Sequence, residues 1–415
     1  MRRVGLIGGM IALAATAWPA ESFLDRVDEA LTGAWLQNKV HVRLSGALDL
    51  EGYRSTLPAP GLVLADGRDL FNPRLSLFFD AQYGAHVYAF VGARADHGFD
   101  PDTGRAQVRL DEYALRLTPW AGRRAGVQLG KFSTVVGNWM PRHGSWDNPF
   151  VTAPLPYENL TGIWDDAAVR TGRVLLAWAG VRPRPVRGGV LQDKRRSVPI
   201  VWGPSYASGA AIFGGVGKFD AAFEVKNAAL SSRPEQWDVA QVQWQHPTYS
   251  GRIGYRPDAR WNIGFSASTG CYLQAAAAAT LPGGTRLDDF RETVLAHDIG
   301  FAWHRVQVWA EVYRARFAIP RVGPADTTAY YLETKVKFSP RWFGALRWNQ
   351  QFFSTVRDLD GTQVRWGREV ARFDAAVGHR FTPQVQAKLQ CSWQHEDAEQ
   401  HAGRRQISAQ LTTRF

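Results

Sequence analysis

The chain has 415 residues, 45% of them hydrophobic, and a net charge of +11, enough for two or three soluble domains or one large barrel. Two cysteines, Cys271 and Cys391, exclude a disulfide framework. No apolar run of about 18 residues follows the N-terminal segment, which excludes a membrane-spanning helix.

Met-Arg-Arg, an apolar run from Val4 to Ala17 and the small residues after it predict a secretory signal peptide over 1–20, cleaved after Ala17 or Ala20. Loss of Arg2 and Arg3 with it leaves a charge of +9 (11 − 2). Lys194-Arg195-Arg196 is the one basic run, so an exported chain of this kind argues against a nucleic-acid partner. Residues 21–37 read as a short periplasmic helix or a leader. Phe23, Leu24, Val27, Leu31 and Trp35 share one helical face, opposite Asp25, Arg26, Asp28 and Glu29.

From residue 38 the period changes to two, the mark of a strand. Residues 39–53 set Val40, Val42, Leu44, Leu48 and Leu50 against His41, Arg43, Ser45, Asp49 and Glu51. Residues 74–83 set Leu75, Leu77, Phe79, Ala81 and Tyr83 against Arg74, Ser76, Asp80 and Gln82, and a Gly84-Ala85 turn follows. Residues 86–96 continue the pattern with Arg94 and Asp96 on the polar face.

Residues 133–197 carry no such alternation. Trp139, Met140, Trp146, Phe150, Tyr157, Ile163 and Trp164 need something to pack against, so the segment reads as one long ordered loop. Within it, Arg173–Gly180 fits either a strand or a short helix. Gly214-Gly215-Val216-Gly217 reads as a hairpin turn, and 237–256 as one long strand broken near His246-Pro247.

The second half is more regular. Segments 260–270, 289–303, 305–316, 327–338, 342–354, 367–379, 384–396 and 404–415 alternate, with tight turns at His304, Ser339–Arg341 and Arg380–Pro383. Longer loops at 317–326, 355–366 and 397–403 fall between them. The last ten residues place Ile407, Ala409, Leu411, Thr413 and Phe415 on one face and Gln406, Ser408, Gln410, Thr412 and Arg414 on the other.

Short turns on one side and long loops on the other predict an all-β transmembrane antiparallel barrel over 38–415, of about sixteen strands, with lipid outside and water within. Fourteen or eighteen strands fit if Arg173–Gly180 is counted differently. A soluble β-sandwich would need a second buried face, and here that face repeats Arg, Lys, Asp, Glu and Gln. Seventeen Trp, 12 Tyr and 22 Phe suit interfacial girdles.

With its signal peptide, alternating strands and the terminal Gln410-Leu411-Thr412-Thr413-Arg414-Phe415, the chain resembles Gram-negative outer-membrane porins of the sixteen-stranded type. The stretch from Gln128 to Gly137 looks like the segment preceding the long third loop of phosphate-selective-type porins. The resemblance implies recognition of Phe415 by the barrel-assembly machinery, contact with outer-membrane lipid and lipopolysaccharide, a homotrimer, and a third loop, 133–197, folded inward to narrow the pore. Arg142, His143, Asp147, Glu158, Asp165 and Asp166 are then expected on one wall of a constriction. Arg43, Arg74, Asp80, Arg94, Asp96 and Arg116 are expected on the other, where facing charges bias ion passage. No cofactor or metal is implied.

The expected function is passive diffusion of small hydrophilic solutes with a weak anion preference, not an enzyme activity. One alternative is a channel selective for phosphate or a sugar. Another is a barrel hydrolase using His143 and Ser145, although residues two apart on a loop rarely reach triad geometry. His395-Glu396-Asp397 with His401 could hold a cation, but a solvated acidic loop tip explains them better.

Overall fold

A computed structural model describes residues 21–35, 37, 39–56, 68–97, 106–120, 125–182, 196–233, 244–397 and 403–415. The predicted signal peptide over 1–20, and most of the Lys194–Arg196 run, lie outside the described residues. The chain begins with helix α1 (Glu21–Ala30) and strand β1 (Thr32–Trp35). Strands β2 (Val40–Ser55), β3 (Asp69–Tyr83), β4 (Val87–Asp96), β5 (Gln107–Leu117) and β6 (Ala125–Phe132) follow. The 133–206 segment holds α2 (Leu155–Glu158) and α3 (Gly172–Trp178). Then come β7 (Ala207–Val216), β8 (Phe219–Lys226), β9 (Thr248–Tyr255), β10 (Trp261–Cys271), β11 (Arg291–Trp303) and β12 (Val306–Ile319). The chain closes with β13 (Gly323–Lys337), β14 (Trp342–Phe353), a small hairpin of β15 (Thr355–Arg357) and β16 (Gln363–Arg365), β17 (Val370–Arg380), β18 (Val385–Glu396) and β19 (Arg404–Arg414).

The main sheet has 17 strands. One of them, β1, covers Val40–Arg43 of β2. The other sixteen (17 − 1) are antiparallel and close into a ring, with Gln406–Arg414 of β19 paired to Ala47–Ser55 of β2. A closed ring leaves no edge with unpaired backbone, the condition for crossing a membrane with strands.

Alternation decides what each face meets. In β12, Glu311, Tyr313, Ala315 and Phe317 are buried while Val312, Arg314 and Arg316 are exposed. Leu332, Leu346, Trp348, Phe373, Trp393 and Ile407 are likewise exposed on the outer face. Phe219, Tyr255, Trp261, Trp303, Phe338 and Trp342 gather at the tight-turn ends as an outer aromatic girdle. The buried core is internal. Val136, Trp139, Met140, Tyr157, Ile163, Leu175, Leu176 and Ile200 of the 133–206 segment pack with Tyr313, Phe317, Tyr331 and Trp366.

Several expected boundaries need correction. The helix over 21–37 stops at Ala30, because Thr32–Trp35 pairs with β2 as a strand instead. The long loop runs to Tyr206, nine residues past 197 (206 − 197), since β7 starts only at Ala207. Arg173–Gly180 holds a helix, capped by the Thr171 side chain accepting from Val174 N–H. Of the strand expected over 237–256, residues 237–243 lie outside the described residues; within the rest, β9 begins at Thr248, directly after Pro247, which has no N–H to give a ladder. The loop expected at 317–326 shrinks to a turn at Pro320–Val322, with Val322 N–H donating to Ile319 O at 3.2 Å.

The terminal aromatic closes the seam. Gly46 N–H donates to Phe415 O at 2.9 Å and Phe415 N–H to Gly46 O at 3.0 Å. The Phe415 ring lies on Gly46, where an added Cβ would sit 2.5 Å from Cζ. Gly46→Leu should displace that ring and weaken the β19–β2 seam. Its heat-modifiable shift on electrophoresis should then occur at a lower temperature than in the wild type, and an unchanged shift would refute this role.

Candidate functional site

The 133–206 segment hydrogen-bonds the polar faces of strands around more than half of the ring. Thr134 Oγ1 donates to Glu224 of β8 at 2.6 Å, and Gly137 N–H to Ser266 of β10 at 3.4 Å. Asn138 N–H and the Tyr157 hydroxyl both donate to Glu311 of β12. Arg142 pairs with Glu333 of β13 and donates to the Tyr331 hydroxyl at 2.9 Å. Leu155 N–H reaches Asn349 of β14 at 3.2 Å, and Arg347 reaches Thr152 Oγ1 at 2.9 Å. Arg372 of β17 pairs with Glu158. Lys388 of β18 donates to three carbonyls, of Ser145 at 2.7 Å, Asn148 at 2.9 Å and Phe150 at 3.1 Å. All of these contacts fall on the polar sides of the strands.

Gly137 permits this close approach. Its φ is +81°, and a Cβ there would collide with the Tyr313 hydroxyl.

The interior next to β2–β5 stays open. A cavity of about 1070 Å³ is bounded by these strands, by β19 and by residues 139–158 and 202–206. Of the residues predicted from sequence, Arg43, Arg74, Asp80, Arg94, Arg116, His143, Asp147 and Glu158 line it. Arg74 pairs with Asp49 at 2.9 Å and Glu51 at 2.6 Å, and Arg94 pairs with Asp111 at 2.9 Å. The Tyr88 hydroxyl donates to Asp80.

The other predicted residues lie elsewhere. Asp96 is buried against Arg109 at 3.1 Å, and Arg142 is buried against Glu333. Asp165 and Asp166 bind Gln274 Nε2 at 2.8 Å and Arg196 at 2.7 Å, next to the 272–290 connection. Loop residues have no periodicity to give their direction, so these three could not be separated from the lining set by pattern.

Asp111 and Glu112 were missed, and here the sequence holds a signal. Val108 and Leu110 are apolar while Arg109 and Asp111 are polar, yet Glu112 and Arg116 are polar in the opposite phase. The slip marks a bulge at Gly92/Ala93, where Gly92 faces Glu112 and Ala93 faces Leu110. Both carboxylates therefore enter the cavity. Asp49 and Glu51 were legible as polar-face residues but not as partners of Arg74.

The His143–Ser145 pair does not form. His143 Nδ1 meets Met140 O at 2.5 Å and Nε2 meets the Tyr206 hydroxyl at 2.9 Å, while Ser145 bonds Asp49. Burial pushes the imidazole below its ordinary pKa, which keeps it neutral at pH 7. No group of three or more His, Cys, Asp and Glu side chains suited to a metal occurs among the described residues. His401 lies outside them.

No protein-family model and no curated protein sequence matches the chain. Solved structures do. An anion-selective porin from Comamonas acidovorans aligns with a TM-score of 0.56 at 10% identity, over 91% of this chain and 100% of its own. OmpF of Salmonella typhi, in complex with daunomycin, aligns with a TM-score of 0.56 at 10% identity, over 92% and 100%. The outer-membrane channel DcaP of Acinetobacter baumannii gives a TM-score of 0.54 at 10% identity, over 93% and 100%. The fold is that of the outer-membrane porins.

Two outcomes follow from these contacts. Arg142→Ala would leave Glu333 buried with only Arg347 at 3.6 Å. It should weaken docking of the segment by about 3–5 kcal/mol, seen as faster amide exchange over 137–160. Burial raises the Asp165 carboxyl to about 6, with Asp166 adding to the rise and Arg233 opposing it. A raised carboxyl contributes stability below the ordinary Asp value and loses it as pH climbs through 6. Asp165→Asn removes that loss, so its melting temperature relative to wild type should rise between pH 4 and pH 7.

Proposed function

We propose that the chain forms a water-filled channel in a bacterial outer membrane through which small hydrophilic solutes diffuse. The observation that carries this reading is a closed ring, apolar outside, with a charged open passage on its β2–β5 side. The 133–206 segment narrows that passage from the opposite side. His143, Asp147 and Glu158 form its charged boundary toward the strand-borne arginines.

Charge selectivity should be slight. The weak anion bias suggested by a charge of +9 finds no support in the cavity wall, where Arg43, Arg74, Arg94, Arg109, Arg116 and Arg414 face Asp49, Glu51, Asp80, Asp111, Glu112, Asp147 and Glu158, six cations against seven carboxylates. Hydrolysis through His143 and Ser145 is disfavoured, because each already bonds other groups. A homotrimer is our reading of the assembled state. A row of small and apolar residues on the outer face of β4, Ala89, Val91, Ala93 and Ala95, would let neighbouring rings approach closely.

Single-channel recording in a planar bilayer tests the function. Stable open steps, with a reversal potential near zero under a KCl gradient, are expected. A folded barrel that passes no current would overturn the channel reading, and a strong Cl⁻ potential would overturn the charge balance.

A further inference from the structure

Resting on the channel reading, we infer that the cavity holds a subsite for flat, ring-bearing carboxylates, formed by an aromatic ledge of Phe78, Tyr88 and Phe90 with Arg116 at its foot. Lumen-facing positions of β3 run Arg74, Ser76, Phe78, Asp80, so an aromatic stands where the pattern calls for a polar group. Phe78 is 45% exposed, and its exposed surface bounds the cavity. Packing accounts for Phe90, which sits against Ala114, Phe132 and Ala211. It does not account for Phe78, whose ring rests over Gly92 and belongs to no buried cluster. Apolar surface held in a water-filled passage is unfavourable unless a solute covers it. Tyr88 and Phe90 continue the ledge, with ring centroids 5.7 Å apart.

Arg116 supplies the second half of the subsite. It stands directly across from Tyr88 in the β4–β5 ladder. Its Nε and Nη2 donate to Gln128 Oε1 at 2.9 and 2.7 Å, and its Cζ lies 5.3 Å from the Phe213 ring centroid. Arg74, Arg94 and Arg109 of the same cavity are each held by carboxylates, whereas both of these partners of Arg116 are uncharged. A neutral amide and a ring orient the guanidinium and leave its charge available to an anion. Asp80 and Glu112 are the nearby carboxylates; Asp80 is bonded by Tyr88 and faces Arg43 in register, and Glu112 bonds Tyr206 and Ser133. Phe78 to Phe90 and Phe90 to Arg116 are two successive diagonal steps on adjacent strands, each about 7–8 Å, so a ring stacked over Phe90 with its edge on Phe78 brings its carboxylate within reach of Arg116. An aliphatic acid would lose the stacking, and an uncharged ring would lose the guanidinium.

The test is block of single-channel KCl current by benzoate, acetate and benzamide added to one side. Benzoate should half-block at a concentration roughly five-fold or more below the other two, given an aromatic contact plus a charge-assisted one. Phe78→Ser should bring benzoate down to acetate, and Arg116→Gln should bring it down to benzamide. Phe78→Leu, which keeps apolar bulk without the ring, should behave as Phe78→Ser does. Equal block by benzoate and acetate in the wild type, or discrimination retained in the Phe78 variants, would overturn the subsite while the channel stands. A silent pore would overturn both.

Discussion

A charge removed from water must find a partner, and that constraint organises the interior of this ring. Glu224, Glu311, Glu333, Arg347 and Asp374 are completely or almost completely buried, although they occupy the face that water would fill in an empty barrel. The 133–206 segment has excluded that water. It also supplies what water gave, through backbone amides to Glu311 and Gln390, carbonyls to Lys388 and Arg347, and side chains to Glu333 and Arg372. The segment has the complementary need, since several of its backbone groups outside the helices find their partners on strand side chains. Each side therefore satisfies the other.

The open passage follows from the same exchange. The segment lies against the walls from β8 to β18 and leaves the β2–β5 side open, so the cavity lies to one side of the barrel axis. Two apolar systems share the molecule without meeting. One is the exposed apolar outer surface. The other is the internal core where Trp139, Tyr157 and Leu176 pack with Tyr313, Phe317 and Tyr331. Trp164 and Trp178 stack at 3.9 Å, and Arg196 lies 3.9 Å from the Trp164 ring on the outer side of this core. Order in a segment with little helix comes from such side-chain contacts rather than from backbone ladders.

Most of the ring was legible because strand parity is a strong signal wherever one face meets lipid. Alternation at 39–53, 74–83 and 404–415 marked β2, β3 and β19, and it put Arg43, Arg74, Asp80, Arg94 and Arg116 on the inner face. Parity says nothing of where a strand stops. Pro320–Val322 looked like part of a loop, while the neighbouring ladder continues to Ile319 and resumes at Gly323. Height within the ring was equally hidden, which is why Asp96 was expected beside Arg94 on the cavity wall but is buried behind it, against Arg109. In the loop, Arg142 and His143 are adjacent in sequence, yet one is held by the far wall and the other borders the passage. Only tertiary contacts distinguish them. The bulge at Gly92/Ala93 was written in the sequence as a phase slip, but a strict period of two conceals it.

The exchange between water and the inserted segment also bears on the order of assembly. Glu311, Glu333, Arg347, Arg372 and Lys388 can be solvated in an unfilled lumen as well as they are partnered in the finished one. Ring closure therefore need not wait for the segment. β6 and β7 can zip along Ala125–Phe132 and Ala207–Gly214 while the intervening chain is still hydrated, because the entropy of closing a loop grows only slowly with its length. In that order the barrel would serve as a mould, wetted first and filled afterwards, the last step exchanging bound water for peptide groups.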